Sequence, residues 1–170
     1  MMRSLFIVSA LLFSALLSGC GFTPVHGASG VAAPLANIDI QLERGSNVVT
    51  NQAGFFVLQR LRDRTGIAPD TAPYRLEITP RYTRTRFGLT DADIASRYDV
   101  TVGTNWKLVN TKNGNVMKRG NTTTKTTFGA PEGPFGVITA DNVGVEQAAS
   151  ETADKLILEL AKFFASRNKK

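Results

Sequence analysis

The sequence predicts an α+β fold: a two-layer sandwich whose four-stranded mixed sheet carries two helices on one face, in the order β-α-β-β-β-α. Three observations predict it. Apolar and polar residues alternate with period 2 in four segments, while two others repeat apolar residues at the helical period. A helix separates the first two strands, which makes them parallel neighbours or next-neighbours through a right-handed crossover. The remaining strands follow one another through turns and form an antiparallel meander.

Ile38, Ile40 and Leu42 alternate with Asp39, Gln41 and Glu43, as in a strand with one buried face. After Gly45, Ser46 or Asn47 caps a helix that runs to about Thr65. Val48, Phe55, Leu58 and Leu61 fall on one side of it, and Gly54 weakens its interior by up to ~1 kcal/mol. Arg60, Arg62 and Arg64 complement the dipole at its C-terminal end and read as a solvated face. Gly66 and Pro69 break the chain.

Tyr74 to Phe87 is the second strand, with Tyr74, Leu76, Ile78 and Tyr82 on one face. Pro80 cannot donate to a ladder, so it belongs at an edge or a bulge. Beyond it Arg81, Arg84 and Arg86 crowd together, with Arg84 and Arg86 on the formerly apolar face, so this end leaves the core. A turn over residues 88–95 holds Gly88, Asp91 and Asp93. The third strand alternates Tyr98, Val100, Val102, Trp106 and Leu108 with Arg97, Asp99, Thr101, Asn105 and Lys107.

Asn113-Gly114 is the strongest hairpin signal, because both residues accept the positive φ of a type I′ turn. The fourth strand, about Asn115 to Phe128, contains the run Thr122 to Thr127, interrupted only by Lys125. Threonine favours strands but makes a poor core, so at least the distal half of this hairpin faces water or a polar partner. A Gly/Pro loop then precedes a last helix from about Asp141 to Ser166, with Val145, Ala149, Thr152, Leu156, Leu160 and Phe163 on its inner face. Glu151 and Lys155 form a favourable i,i+4 pair, and Arg167, Lys169 and Lys170 make a basic tail.

Residues 1–35 stand outside this sandwich. Arg3 precedes an apolar run from Leu5 to Leu17, which is shorter than the ~20 residues a bilayer span needs and suits the core of a secretory signal. Leu17-Ser18-Gly19-Cys20 resembles the lipobox of bacterial lipoproteins. That resemblance implies cleavage before Cys20, which would carry diacylglycerol and an acyl chain such as palmitate; three chains make a durable anchor at ~0.8 kcal/mol per buried methylene. Gly21 stands where Asp commonly signals inner-membrane retention, so the implied destination is the outer membrane, on its periplasmic side. The organisation is thus a signal peptide at 1–19, a lipidated tether at 20–35 and one domain at 36–170. The tether is rich in Gly, Ala, Ser and Pro, and at ~3.3–3.6 Å per residue its residues 21–35 reach roughly 50 Å.

The chain carries a formal charge of +6, or +5 without Arg3, which suits an anionic partner. Export argues against nucleic acid. His26, the single histidine, lies in the tether, and Cys20, the single cysteine, would carry lipid on the lipobox resemblance. No Ser-His-Asp, Cys-His or zinc constellation can be assembled from them, no phosphate-cradling glycine loop is present, and no metal or free cofactor is expected. Asp91 and Asp93 read as turn residues. Binding, and not catalysis, is the expected class of function.

Several features taken together resemble the LptE family of lipopolysaccharide-assembly lipoproteins, in its alphaproteobacterial form. They are Gly19-Cys20-Gly21-Phe22-x-Pro24, the Tyr74-x-Leu76-x-Ile78 strand, Arg97-Tyr98, the Gly114 hairpin, and the Ala148-Ala149-x-x-x-Ala153 helix ending in Phe163-Phe164. The resemblance implies a plug inside a large LptD β-barrel that helps deliver lipopolysaccharide to the outer leaflet. Guanidinium holds phosphate bidentately, so Arg84 and Arg86 are the leading lipopolysaccharide contacts, followed by Lys118, Arg119 and Lys125. Some family members have a lysine before the last helix; here Ala140 takes that place. The alternatives are a structural or adaptor outer-membrane lipoprotein without lipopolysaccharide recognition, and a periplasmic module for another acidic ligand.

Overall fold

In a computed structural model, which describes residues 32–89, 95–129 and 133–167, the chain runs α1 (Ala32–Ala36), β1 (Ile38–Leu42), α2 (Val48–Thr65), β2 (Tyr74–Leu89), β3 (Ala95–Asn110), β4 (Val116–Gly129) and α3 (Pro134–Arg167). The sheet order is β1-β2-β3-β4, with β1 parallel to β2 and the other pairs antiparallel. Both long helices pack on one face of it, which is the α+β sandwich expected. The expected signal peptide at 1–19, and Cys20, His26, Asp91, Asp93, Lys169 and Lys170, lie outside the described residues.

Even-numbered strand positions face the helices. Ile38, Ile40, Leu76, Ile78, Val100, Val102, Trp106 and Leu108 from the sheet meet Val57 and Leu61 of α2 and Val145, Leu156, Leu160 and Phe164 of α3. α1 lies largely within the expected tether, yet Leu35 is buried in this core, so packing begins ahead of residue 36. Asn47 caps α2, its side chain accepting from the Thr50 N–H at 2.8 Å.

The inner face of α2 differs from the expectation. Val48 and Phe55 are exposed, at 82% and 56%, whereas Thr50, Ala53, Gly54, Val57 and Leu61 are buried. Gly54 explains the rotation: a Cβ there would lie 2.8 Å from Pro80 Cγ and 3.0 Å from Leu42 Cδ1, so small residues face the sheet and admit the helix backbone closely. Pro80 is itself at an edge. The Ile78 carbonyl accepts from Glu43 N on the β1 side, and alternation turns the Pro80 nitrogen the same way, just past the end of β1.

α3 begins at Pro134, seven residues before the expected start, and at ~1.5 Å per residue its 34 residues span roughly 51 Å. The loop reading misjudged Pro134, because proline at the first helical position sacrifices no helical bond. Phe164 is the buried aromatic at its end, and Phe163 is only half-buried. The Glu151–Lys155 pair does not form: Lys155 Nζ donates to the Thr123 carbonyl at 3.2 Å and to Thr124 Oγ1 at 2.9 Å. The β3–β4 hairpin lies where Asn113-Gly114 placed it, but with four loop residues instead of two. Asn110 N donates to Asn115 O, Gly114 N donates to Asn110 O, and Gly114 has φ 71°. Side-chain oxygens of Asn110 and Asn113 accept from Lys112 N and Asn115 N, which stabilises the longer turn.

The threonine run divides. Thr123, Lys125 and Thr127 are exposed on the open face as expected, but Thr122 and Thr124 are buried beneath α3. The helix supplies part of the polar satisfaction that makes this tolerable, through Lys155 on Thr124.

Candidate functional site

Because α2 and α3 occupy one side, the other face of the sheet is bare. It presents Asp39, Gln41, Arg75, Glu77, Thr79, Arg81, Asp99, Asn105, Lys107, Arg119, Thr123, Lys125 and Thr127 at odd-numbered positions. The strands carry nine basic and three acidic side chains, whereas the two long helices carry six of each. The positive balance of the folded part therefore resides in the sheet. Cross-strand pairs tie some of it down: Lys107 Nζ lies 2.7 Å from Glu77 Oε2, and Lys125 is paired with Asp99. The Lys125 and Thr127 hydrogen bonds hold the Asp99 carboxyl below its usual range.

Two grooves indent this face. One, of about 630 Å³, lies toward the β3–β4 hairpin between Glu43, Glu77, Asn105, Lys107, Arg119 and Asn121. The second, of about 550 Å³, lies at the opposite end between Phe87, Arg97, Asp99, Lys125 and Thr127. Lys107 and Arg97 were overlooked as candidates, although they share the alternating face with Arg119 and Lys125.

The five cations singled out from the sequence do not converge. Arg84 lies on the helix side of β2, 5.5 Å from the Tyr98 ring centroid and 3.6 Å from Asp141. Arg86 is exposed on the same side, opposite Tyr98. Lys118 is half-buried beside α3: its Nζ donates to the Glu159 carbonyl at 3.4 Å and sits 5.8 Å from the centroids of both Trp106 and Phe163. Arg119 lines the first groove and Lys125 the second, on the other face.

Arg84 belongs to a latch. Tyr82 donates through its hydroxyl to Asp141 at 3.1 Å, joining β2 to α3 where the helix first reaches the sheet. Burial, followed by the Asp141 charge, pushes the Tyr82 hydroxyl up to about 12. Tyr98 stacks on Phe128, which in turn packs against Gly144. Two of the arginines at the end of α2 also meet α3, since Arg60 and Arg64 share Asp154 at 3.0 and 3.2 Å, while Arg62 is exposed. Burial works to raise the Asp154 carboxyl, and the two guanidiniums outweigh it and hold it low.

The backbone is similar to that of a candidate lipoprotein of Caulobacter crescentus, with a TM-score of 0.61 and 27% identity over 81% of this chain and 96% of that one. It also matches rare lipoprotein B of Shewanella oneidensis, at TM-score 0.53 and 12% identity over 74% and 94% of the two chains. Lipoprotein B of Nitrosomonas europaea follows at 0.51 and 7%, over 74% and 82%. These structural neighbours are bacterial lipoproteins. The likeness to the Shewanella and Nitrosomonas proteins is one of fold. No protein-family model matches the chain, and no curated protein matches it in sequence.

Proposed function

We propose that this chain is an outer-membrane lipoprotein, acylated at Cys20 and held on the periplasmic side, whose domain plugs and helps assemble an LptD-like β-barrel. In this role it assists lipopolysaccharide delivery and performs no catalysis. The observation that carries the reading is the bare, polar, cation-rich sheet face, the surface a wedge needs inside a barrel whose interior is polar. The lipobox-like start and the lipoprotein neighbours support the anchor.

Gentle solubilisation of membranes that contain the full chain is expected to co-purify a large β-barrel. A Cys20→Ala chain is expected to leave the membrane fraction. A wild-type protein that is unacylated and without a barrel overturns the proposal.

The adaptor reading, without lipopolysaccharide recognition, is favoured by one observation: the five candidate cations are scattered over both faces, and Lys118 and Lys125 are already engaged. Arg84→Ala/Arg86→Ala decides between the two. Weakened lipopolysaccharide binding supports delivery, and unchanged binding with the barrel still captured supports the adaptor.

A further inference from the structure

The geometry points to the outer edge of β4 as a docking site for an extended, acidic segment of a partner protein, which would add a fifth strand to the sheet. Thr123 faces Gly103 of β3, and its carbonyl turns away from that strand to accept from Lys155 Nζ at 3.2 Å. Alternation then aims the N–H and C=O groups of Asn121, Thr123, Lys125 and Thr127 outward, beyond the last strand of the sheet.

The two long edges are not equivalent. Past the end of β1, the free edge of β2 is blunted by Pro80, while β4 has no proline, and its one register irregularity lies near its start, at Leu108/Val109 of β3. Its central residues are threonines, which suit a paired strand.

Charge selects the occupant. β4 contains Lys118, Arg119 and Lys125 and no Asp or Glu, and Lys155 of α3 adds a further cation against its edge. Asp99 on the open face is matched by Lys125, and Glu151 is turned to Gln147 at 3.5 Å. A second copy of the chain would set two such strands side by side with no carboxylate on either, which offers no cross-strand ion pair to favour self-pairing. An incoming strand with carboxylates at alternate positions gains main-chain bonds along the edge and meets Arg119, while Lys155 exchanges a carbonyl for a carboxylate. This site does not depend on the partner being a barrel.

The test uses the full chain and two synthetic peptides of equal length, one alternating threonine with glutamate and the other threonine with lysine. Hydrogen exchange is expected to slow at Asn121, Thr123, Lys125 and Thr127 with the acidic peptide and not with the basic one. Thr123→Pro removes an outward N–H and leaves the β3 ladder intact, so it should weaken acidic-peptide binding at least tenfold while Thr123→Val binds normally. Should Thr123→Pro fail to fold, Arg119→Glu supplies the second arm, with the preference for the acidic peptide reduced at least tenfold. Equal binding of both peptides, protection elsewhere than β4, or concentration-dependent protection of these amides in the chain alone overturns the inference. A barrel captured by a chain that ignores the acidic peptide would overturn this site and leave the plug role standing.

Discussion

The two ends of the sheet are built from the same strands and differ in what covers them. At the β1 end, four strands lie under both helices, and Ile40, Leu76, Ile78 and Leu108 meet Val57, Leu61, Leu156 and Leu160 with at most 6% exposure. Beyond Pro80 the sheet has three strands, and over it lie only the first turns of α2, which approach Pro80 at Gly54 and α3 at Gln52–Asn142, and the first turns of α3. The buried sheet residues end at Val100 and Val102, and from there the contacts are the Tyr82–Asp141 bond beside Val102, Arg84 on Tyr98 and Tyr98 on Phe128. A strand is core or surface according to the helix above it, and at this end Arg84 is held by Asp141 and Tyr98 while Arg86 stays exposed.

The comparison breaks most readily through the covered end. Leu156→Ala, a fully buried side chain, is expected to lower unfolding free energy by about 2–5 kcal/mol in a denaturant titration. An equal loss from Phe87→Ala, which is 46% exposed at the open end, would erase the distinction; the expected change there is within about 0.5 kcal/mol.

Gly54→Ala tests the junction between the ends. Its methyl would press on Pro80 and Leu42, and a loss of about 1–3 kcal/mol is expected from overpacking. Tyr82→Phe should cost about 0.5–1.5 kcal/mol, with faster amide exchange in the first turns of α3. Its pH dependence sharpens the assignment. The folded-state pKa of Tyr82 is raised to about 12 from near 10, so its contribution is complete below pH ~10 and is lost as pH climbs toward 12. Tyr82→Phe should lack that alkaline loss.

The smallest expected effect is that of Arg60→Ala, under about 1 kcal/mol, because both partners of the pair are more than a third exposed and solvent screens them. The Asp154 carboxyl is depressed, so the pair contributes above the ordinary carboxylate pKa of about 4. That contribution fades as pH falls through the lower folded value. Thermal melts of wild type and Arg60→Ala should converge on acidification.

Local pattern determined the elements. Alternation at Ile38–Leu42, Tyr74–Phe87 and Tyr98–Leu108 and the helical period around Val145–Leu160 are properties of neighbouring residues, and they suffice for element order and sheet direction. Which side of an ambiguous segment turns inward was decided only by tertiary contact. α2 presents Ala53 and Gly54 and leaves Phe55 outside because Pro80 and Leu42 lie so near, and Thr124 is buried because Lys155 arrives from α3, 31 residues away.

The candidate site divides in the same way. The basic residues of the strands were legible from composition and alternation. Their dispersal over two faces, the contact of Lys118 with Trp106 and Phe163, and the outward edge of β4 were not, because each depends on groups brought together from distant parts of the chain. Hydrophobic periodicity is a one-dimensional signal, while burial and charge pairing belong to the packed layers.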